Sequence, residues 1–149
     1  MLRPLPFFWF MLTKLPSITF WNIRIKQLGK NGCQTILPFT WRTQNPFRSV
    51  YFATLAGAAE LASGALCMLH LTGKKEYSML VTDFEATFSK KATGTVSMTC
   101  EDGPLLLQTL EKLEKPGDVQ TLRMAVTGTN ENGDVIGNFA VTWSFKRKG

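Results

Sequence analysis

Histidine occurs once, at His70, and cysteine three times, at Cys33, Cys67 and Cys100. A single histidine provides no cluster of imidazoles and carboxylates for a catalytic metal. Three cysteines without a Cys-x-x-Cys pair argue against a disulfide framework and against a zinc site. They read as small buried side chains in a reducing compartment. No Gly-x-Ser-x-Gly elbow occurs, which argues against a Ser-His-Asp hydrolase. Gly-x-Gly-x-x-Gly and the P-loop pattern are both missing, so no glycine-rich phosphate cradle is expected. Repeats, low-complexity tracts and long linkers are also lacking, and residues 1–149 read as one domain with one core. His70 falls near a predicted helix C-terminus, where a charged imidazole is favourable.

Hydrophobic residues make up 44% and charged residues 19%, an ordinary globular balance. The net charge of +6 favours an anionic ligand or surface without naming one. Lys74-Lys75, Lys90-Lys91 and Lys146-Arg147-Lys148 hold much of the excess, and each also reads as solvated surface charge. No nucleic-acid partner is expected. Residues 5–20 are rich in apolar side chains, with Phe7, Phe8, Trp9, Phe10, Met11 and Leu12 in a row. A membrane span needs about 20 uninterrupted apolar residues, whereas Pro4, Pro6, Lys14 and Pro16 punctuate this stretch. No small-residue cleavage site follows it, as a signal peptide would require. The stretch predicts a short helix over residues 6–15, within an N-terminal helical segment 1–16, with Phe7 to Leu12 packed on the domain or a dimer partner. The alternative is contact with a membrane surface through this aromatic segment. A cytoplasmic location is expected.

Strands are predicted over residues 23–28 and 33–41, joined by a turn at 29–32, with Pro38 marking an edge or bulge. Asn45-Pro46 breaks the chain. A long helix is predicted over residues 49–71. Between Ala53 and Ala65, nine of thirteen residues are Ala, Gly or Ser, so something must approach this helix closely. Gly57 and Gly64, seven apart, lie near one face. Each glycine costs a helix up to about 1 kcal/mol relative to alanine, and packing must offset that. Residues 80–88 alternate, with Leu80, Phe84, Ala86 and Phe88 on one face and Asp83, Glu85 and Thr87 on the other. Residues 95–100 alternate likewise. Residues 104–113 read as a short helix or as irregular chain. Longer strands over 120–129 and 137–146 flank Asn132-Gly133, a hairpin signal. The order predicts an α+β domain in which a curved antiparallel sheet of five or six strands wraps one long central helix.

Glu60 falls in the middle of that small-residue helix. A carboxylate in such a core is costly when ionised, and its pKa tends to rise, which suits a general base near neutral pH. The alternative is that Glu60 faces solvent or a partner on its own helix. Asn45, before a proline and a helix, reads as a candidate site residue or as a turn or cap.

The segment Asn45-Pro46-Phe47-Arg48-Ser49-Val50-Tyr51-Phe52-Ala53, continuing Leu55-Ala56-Gly57-Ala58-Ala59-Glu60, resembles hotdog-fold proteins. It is similar above all to an uncharacterised branch known only as a domain of unknown function. More distantly it resembles the phenylacetate-pathway type of acyl-CoA thioesterase. In those thioesterases an Asn opens the motif, a Gly follows three residues on, His-Gly-Gly follows at six, and an Asp or Glu lies fifteen after the Asn. Asn45 and Glu60 hold the first and last places. Arg48 stands at the glycine position, and Tyr51-Phe52-Ala53 replaces His-Gly-Gly. The resemblance implies a homodimer or dimer of dimers, with sheets joined edge to edge, that hydrolyses an acyl-CoA thioester without cofactor or metal. It implies Glu60, from the partner subunit, as base or nucleophile and Asn45 as the group orienting water or carbonyl. Backbone amides near Phe52 and Ala53 would hold the oxyanion, and Tyr51 could donate a further hydrogen bond. By charge alone, Arg48, Lys90 and Lys91 are candidates for the coenzyme A phosphates. The other reading is a non-catalytic hotdog protein that binds a fatty acyl group or another apolar ligand, which Arg48 and the missing glycines favour.

Overall fold

The small-residue stretch forms the central helix, and its thinness sets the distance between layers. The computed structural model describes residues 4–149, with side chains from residue 9 onward. In chain order the elements are α1 (Pro4–Lys14), α2 (Pro16–Phe20), β1 (Arg24–Leu28), β2 (Cys33–Leu37), α3 (Phe52–Leu71), β3 (Tyr77–Phe88), β4 (Val96–Cys100), α4 (Gly103–Glu111), β5 (Val119–Thr129) and β6 (Val135–Arg147). The six strands form one antiparallel sheet in the order β1-β2-β4-β5-β6-β3. Among the described residues, α3 is the one helix long and apolar enough to cross a membrane, and most of it is buried against the sheet and the N-terminal helices.

Leu55, Ala58, Ala59, Leu61, Ala62, Leu66 and Cys67 of α3 are buried. The sheet comes near enough for the Thr35 hydroxyl on β2 to donate to the Ala58 carbonyl at 2.9 Å. A Cβ at Gly64 would lie 3.1 Å from the Trp143 ring on β6, and one at Gly57 3.0 Å from the Trp21 ring. The two glycines therefore admit different neighbours, Gly64 the sheet and Gly57 the indole that follows α2. The Trp143 Nε1–H donates to Ser63 Oγ at 3.0 Å, and that hydroxyl donates to the Glu60 carbonyl at 3.1 Å. At the other end of α3, His70 Nε2 donates to the Lys30 carbonyl at 2.8 Å, tying the helix to the β1–β2 turn.

The helix begins at Phe52 rather than at residue 49, because the preceding chain is held in extended pairing. Val50 bridges to Gln44 and its amide donates to Ala92, while the Tyr51 amide donates to Thr43. Arg48 lies at φ 58°, the left-handed region in which glycine carries no penalty. The backbone shape suited to a glycine is thus kept with an arginine in its place. β2 stops at Leu37, short of Trp41, because Pro38 follows and Thr43 Oγ1 closes the next turn onto the Pro38 carbonyl at 2.8 Å.

The alternation expected for β3 breaks at one residue. Val81 stands opposite Trp143 and Asp83 opposite Thr142, so Thr82 is an inserted bulge. The bulge inverts the parity on its N-terminal side. Met79, Val81 and Phe84 pack on the core, whereas Leu80, expected beside Phe84, is 67% exposed. Residues 103–111 are helical, and the β5–β6 hairpin turns where expected, with Gly133 at φ 83°. In the N-terminal segment Met11 and Ile18 are buried, while Trp9, Phe10 and Leu12 stay exposed. The expected packing of Phe7 and Phe8 lies outside the described side chains, and residues 1–3 of the expected segment lie outside the described residues.

Four substitutions test this packing and the backbone before α3. At Gly103 a Cβ would sit 2.0 Å from the Lys30 carbonyl oxygen and 2.7 Å from Asn31 backbone. Chemical denaturation of Gly103→Ala should show a loss of at least ~2 kcal/mol. Gly29→Ala, with no atom within 4 Å of the added methyl, should stay within about 0.5 kcal/mol of wild type. Arg48→Gly should be tolerated, since glycine relieves the positive φ while loosening the unfolded chain. Arg48→Val, branched where φ must be positive, should lower the melting temperature clearly below both.

Candidate functional site

Glu60 opens onto a cavity of about 560 Å³ between α1, α3 and the β3–β6 edge of the sheet. Phe10, Leu15, Met68, Met79 and Trp143 make its walls mostly apolar, and Lys14 and Lys74 complete its rim. A Cβ at Gly64 would lie 3.3 Å from Glu60 Oε1, so this glycine keeps room beside the carboxylate. Among the described residues the carboxylate has no hydrogen-bond or ion-pair partner. Burial alone pushes its pKa up, since nothing nearby compensates the lost hydration. A carboxylate so placed can exchange a proton with whatever occupies the cavity.

Asn45 lies at the other end of the arrangement, in the loop before α3. Its Oδ1 accepts from the Phe47 amide at 2.9 Å, the Ser49 amide at 3.2 Å and the Ser49 hydroxyl at 3.1 Å. The side chain thus closes an Asx turn. Its Nδ2 makes one long contact, 3.4 Å to the Val50 carbonyl, and keeps donor capacity. Asn45, Phe52, Leu55, Phe88, Lys90 and Lys91 line a second cavity of about 360 Å³. The amides of Phe52 and Ala53, in the first turn of α3, have no acceptor among the described residues. Tyr51 turns aside into a neighbouring cleft with Phe47 and packs edge-on against Phe52, ring centroids 5.6 Å apart. The Ala53 side chain lines neither space. Lys90 is ion-paired with Asp134 at 2.6 Å, whereas the exposed Lys91 has no such pair among the described residues.

Asn45, Phe52, Lys90 and Lys91 thus share one cavity and Glu60 lines another, while Tyr51 lies in the adjoining cleft and Arg48 and Ala53 line none of the three. The Asn45 cavity takes Phe88, the last residue of β3, and the chain just after it. The Glu60 cavity takes Tyr77 and Met79 at the start of the same strand. Along α3 the two spaces are near neighbours, since Leu55 lines the first and Glu60 the second, about 8 Å apart along the helix axis. The walls of the Glu60 cavity were not foreseen from sequence. The legible signal was Gly64, a gap in α3 four residues after Glu60 and hence on its face.

The thiols take no part in this chemistry. All three cysteines are buried and free, and burial pushes Cys33 to about 12, Cys100 to about 11 and Cys67 further up. They stay protonated at neutral pH and are poor nucleophiles.

No curated protein sequence matches this chain. Solved structures do. A protein of unknown function from Pseudomonas aeruginosa, described as a probable thioesterase, aligns with a TM-score of 0.83 at 19% identity, covering 99% of this chain and 98% of that one. One of unknown function from Chlorobaculum tepidum aligns at 0.81 and 14% identity, covering 94% and 91%. A thioesterase from Haemophilus influenzae aligns at 0.70 and 15% identity, covering 92% and 87%. At these identities the likeness shows the fold, the hotdog fold of thioesterase-like proteins. Residues 6–145 match the family model described as "Domain of unknown function (DUF4442)", and the chain belongs to that family.

Proposed function

We propose that this protein is a cytoplasmic acyl-CoA thioesterase acting as a homodimer, with each active site assembled from two subunits. The observation that carries the reading is Glu60: an unpaired carboxylate with a burial-raised pKa at the wall of a mostly apolar cavity of about 560 Å³. Such a cavity suits an acyl or aryl chain, and such a carboxylate suits proton abstraction from water near neutral pH.

The sheet supplies a reason for the dimer. β3 is an edge strand of 12 residues without lysine or proline, and its outer row of backbone groups pairs with no described strand. Edges of that kind are usually covered or paired. If two β3 strands pair antiparallel about a two-fold axis, the start of one lies beside the end of the other. The Glu60 cavity of one subunit then adjoins the Asn45 cavity of its partner. In the resulting site the thioester carbonyl lies at the first turn of α3, where the free amides of Phe52 and Ala53 and the helix dipole hold the developing oxyanion. Asn45 Nδ2 donates to the carbonyl or to the attacking water. Glu60 takes the proton from that water, the new C–O bond forms, the C–S bond breaks, and coenzyme A leaves as a thiolate that takes up a proton. Lys91 and Arg48 are placed by charge to meet the phosphates, with Lys90 held back by Asp134.

A second reading is favoured by one observation. Asn45 Oδ1 is fully occupied by its own loop, as expected of a structural residue in a protein that binds an acyl ligand without hydrolysing it.

Glu60→Gln distinguishes them. The thioesterase reading predicts that acyl-CoA hydrolysis falls at least ~100-fold, with a thiol-detecting dye as readout. The wild-type rate should rise with pH along a limb above the ordinary carboxylate range, and the variant should lack that limb. Stability should move the other way. A raised folded-state pKa means that ionisation works against folding as pH increases from the unfolded value through the folded one. The melting-temperature gain of Glu60→Gln should therefore be near zero in acid and largest at neutral pH. The stability gain without any hydrolysis to lose would favour the binder.

A further inference from the structure

The N-terminal part of the chain carries a second feature, independent of the Glu60 chemistry. The first acidic residue of the chain is Glu60; the 59 residues before it contain seven basic ones. Exposed aromatics concentrate in the same part. Phe20, at the end of α2, is 51% exposed and Trp41, in the turn after β2, is 71% exposed. Their rings meet edge to face with centroids 6.0 Å apart. The Arg42 guanidinium lies 5.6 Å from each ring centroid, and its Nη1 donates to the Phe20 carbonyl at 3.3 Å. On α1, Trp9 at 59% and Leu12 are exposed, while Met11 of α1 and Ile18 of α2 supply the packing toward the core.

We propose that this face of α1, α2 and the Trp41–Arg42 turn docks the protein on an anionic phospholipid surface. Indole and phenyl rings settle at the level of the headgroups, where an apolar body and wet surroundings coexist. Basic residues among them gain from a negative leaflet, and a guanidinium can take a phosphate in a forked contact. Charge complementarity favours lipid over a second copy of the chain. An isologous contact would set this patch on itself, and Arg42 at its centre is partnered by the two rings and the Phe20 carbonyl rather than by a carboxylate. Because Phe10 and Lys14 of α1 also line the Glu60 cavity, the docking face and that cavity share one helix.

Sedimentation of the full chain with vesicles tests this. Vesicles of equal parts phosphatidylcholine and phosphatidylglycerol should carry the protein down. Vesicles of phosphatidylcholine alone, or added salt, should release most of it. Arg42→Glu and Trp41→Ser sit in an exposed turn and should keep the wild-type melting temperature while lowering partitioning at least ~10-fold. Tryptophan emission should shift to the blue on binding, less so in Trp41→Ser. Three results would overturn the proposal: no sedimentation with the anionic vesicles at low salt, binding that ignores lipid charge, or folded variants that bind as wild type. A dimer that dissociates in both variants, with no vesicle binding, would assign the face to a second copy instead.

Discussion

The closeness of the sheet to α3 is the constraint from which the rest follows. A β2 hydroxyl hydrogen-bonds a helix carbonyl, and a β6 indole rests over a helical glycine. Larger side chains at Ala58, Ser63 or Gly64 would hold the layers apart and remove both contacts. The helix accepts poor intrinsic propensity in glycine and serine, and the tight interface offsets it. This is why the residues between Ala53 and Ala65 look so unlike an ordinary amphipathic helix, whose apolar stripe carries large side chains.

Glu60 takes its character from the same constraint. In a thicker helix it would be one polar residue on a wet face. Here Gly64 leaves space beside it, Trp143 approaches from the sheet, and Phe10 of α1 closes over with Leu15, between α1 and α2. The carboxylate is left in apolar surroundings without a partner, which raises its pKa. On the proposed reading, packing thus prepares the base, and the edge strand β3 determines which subunit supplies the other half of the site.

Much of this was legible in the sequence. Alternation located the β5–β6 hairpin and most of the sheet, because period-2 patterns survive wherever one face is buried. The same pattern misassigned Leu80, since a one-residue bulge reverses parity and leaves no mark in composition. The start of α3 was set too early because Ser49 and Val50 are held by Asn45, Gln44 and Ala92, contacts that close only in three dimensions. Arg48 shows the opposite case: the residue departs from glycine, yet the backbone keeps the glycine-like φ. The motif brought Glu60 and Asn45 forward together, but not their placement in separate cavities. The two cavities take opposite ends of β3, which the spacing of Asn45 and Glu60 along the chain does not reveal.

The central claim is that Asn45 and Glu60 act across the dimer, and complementation tests it most directly. Asn45→Ala and Glu60→Gln proteins, each impaired alone, are unfolded together, refolded as an equal mixture and assayed for acyl-CoA hydrolysis. Half of the dimers should be mixed, and each mixed dimer should hold one intact site and one doubly altered site, so about a quarter of wild-type activity should return. A mixture no more active than its two components would contradict the shared site.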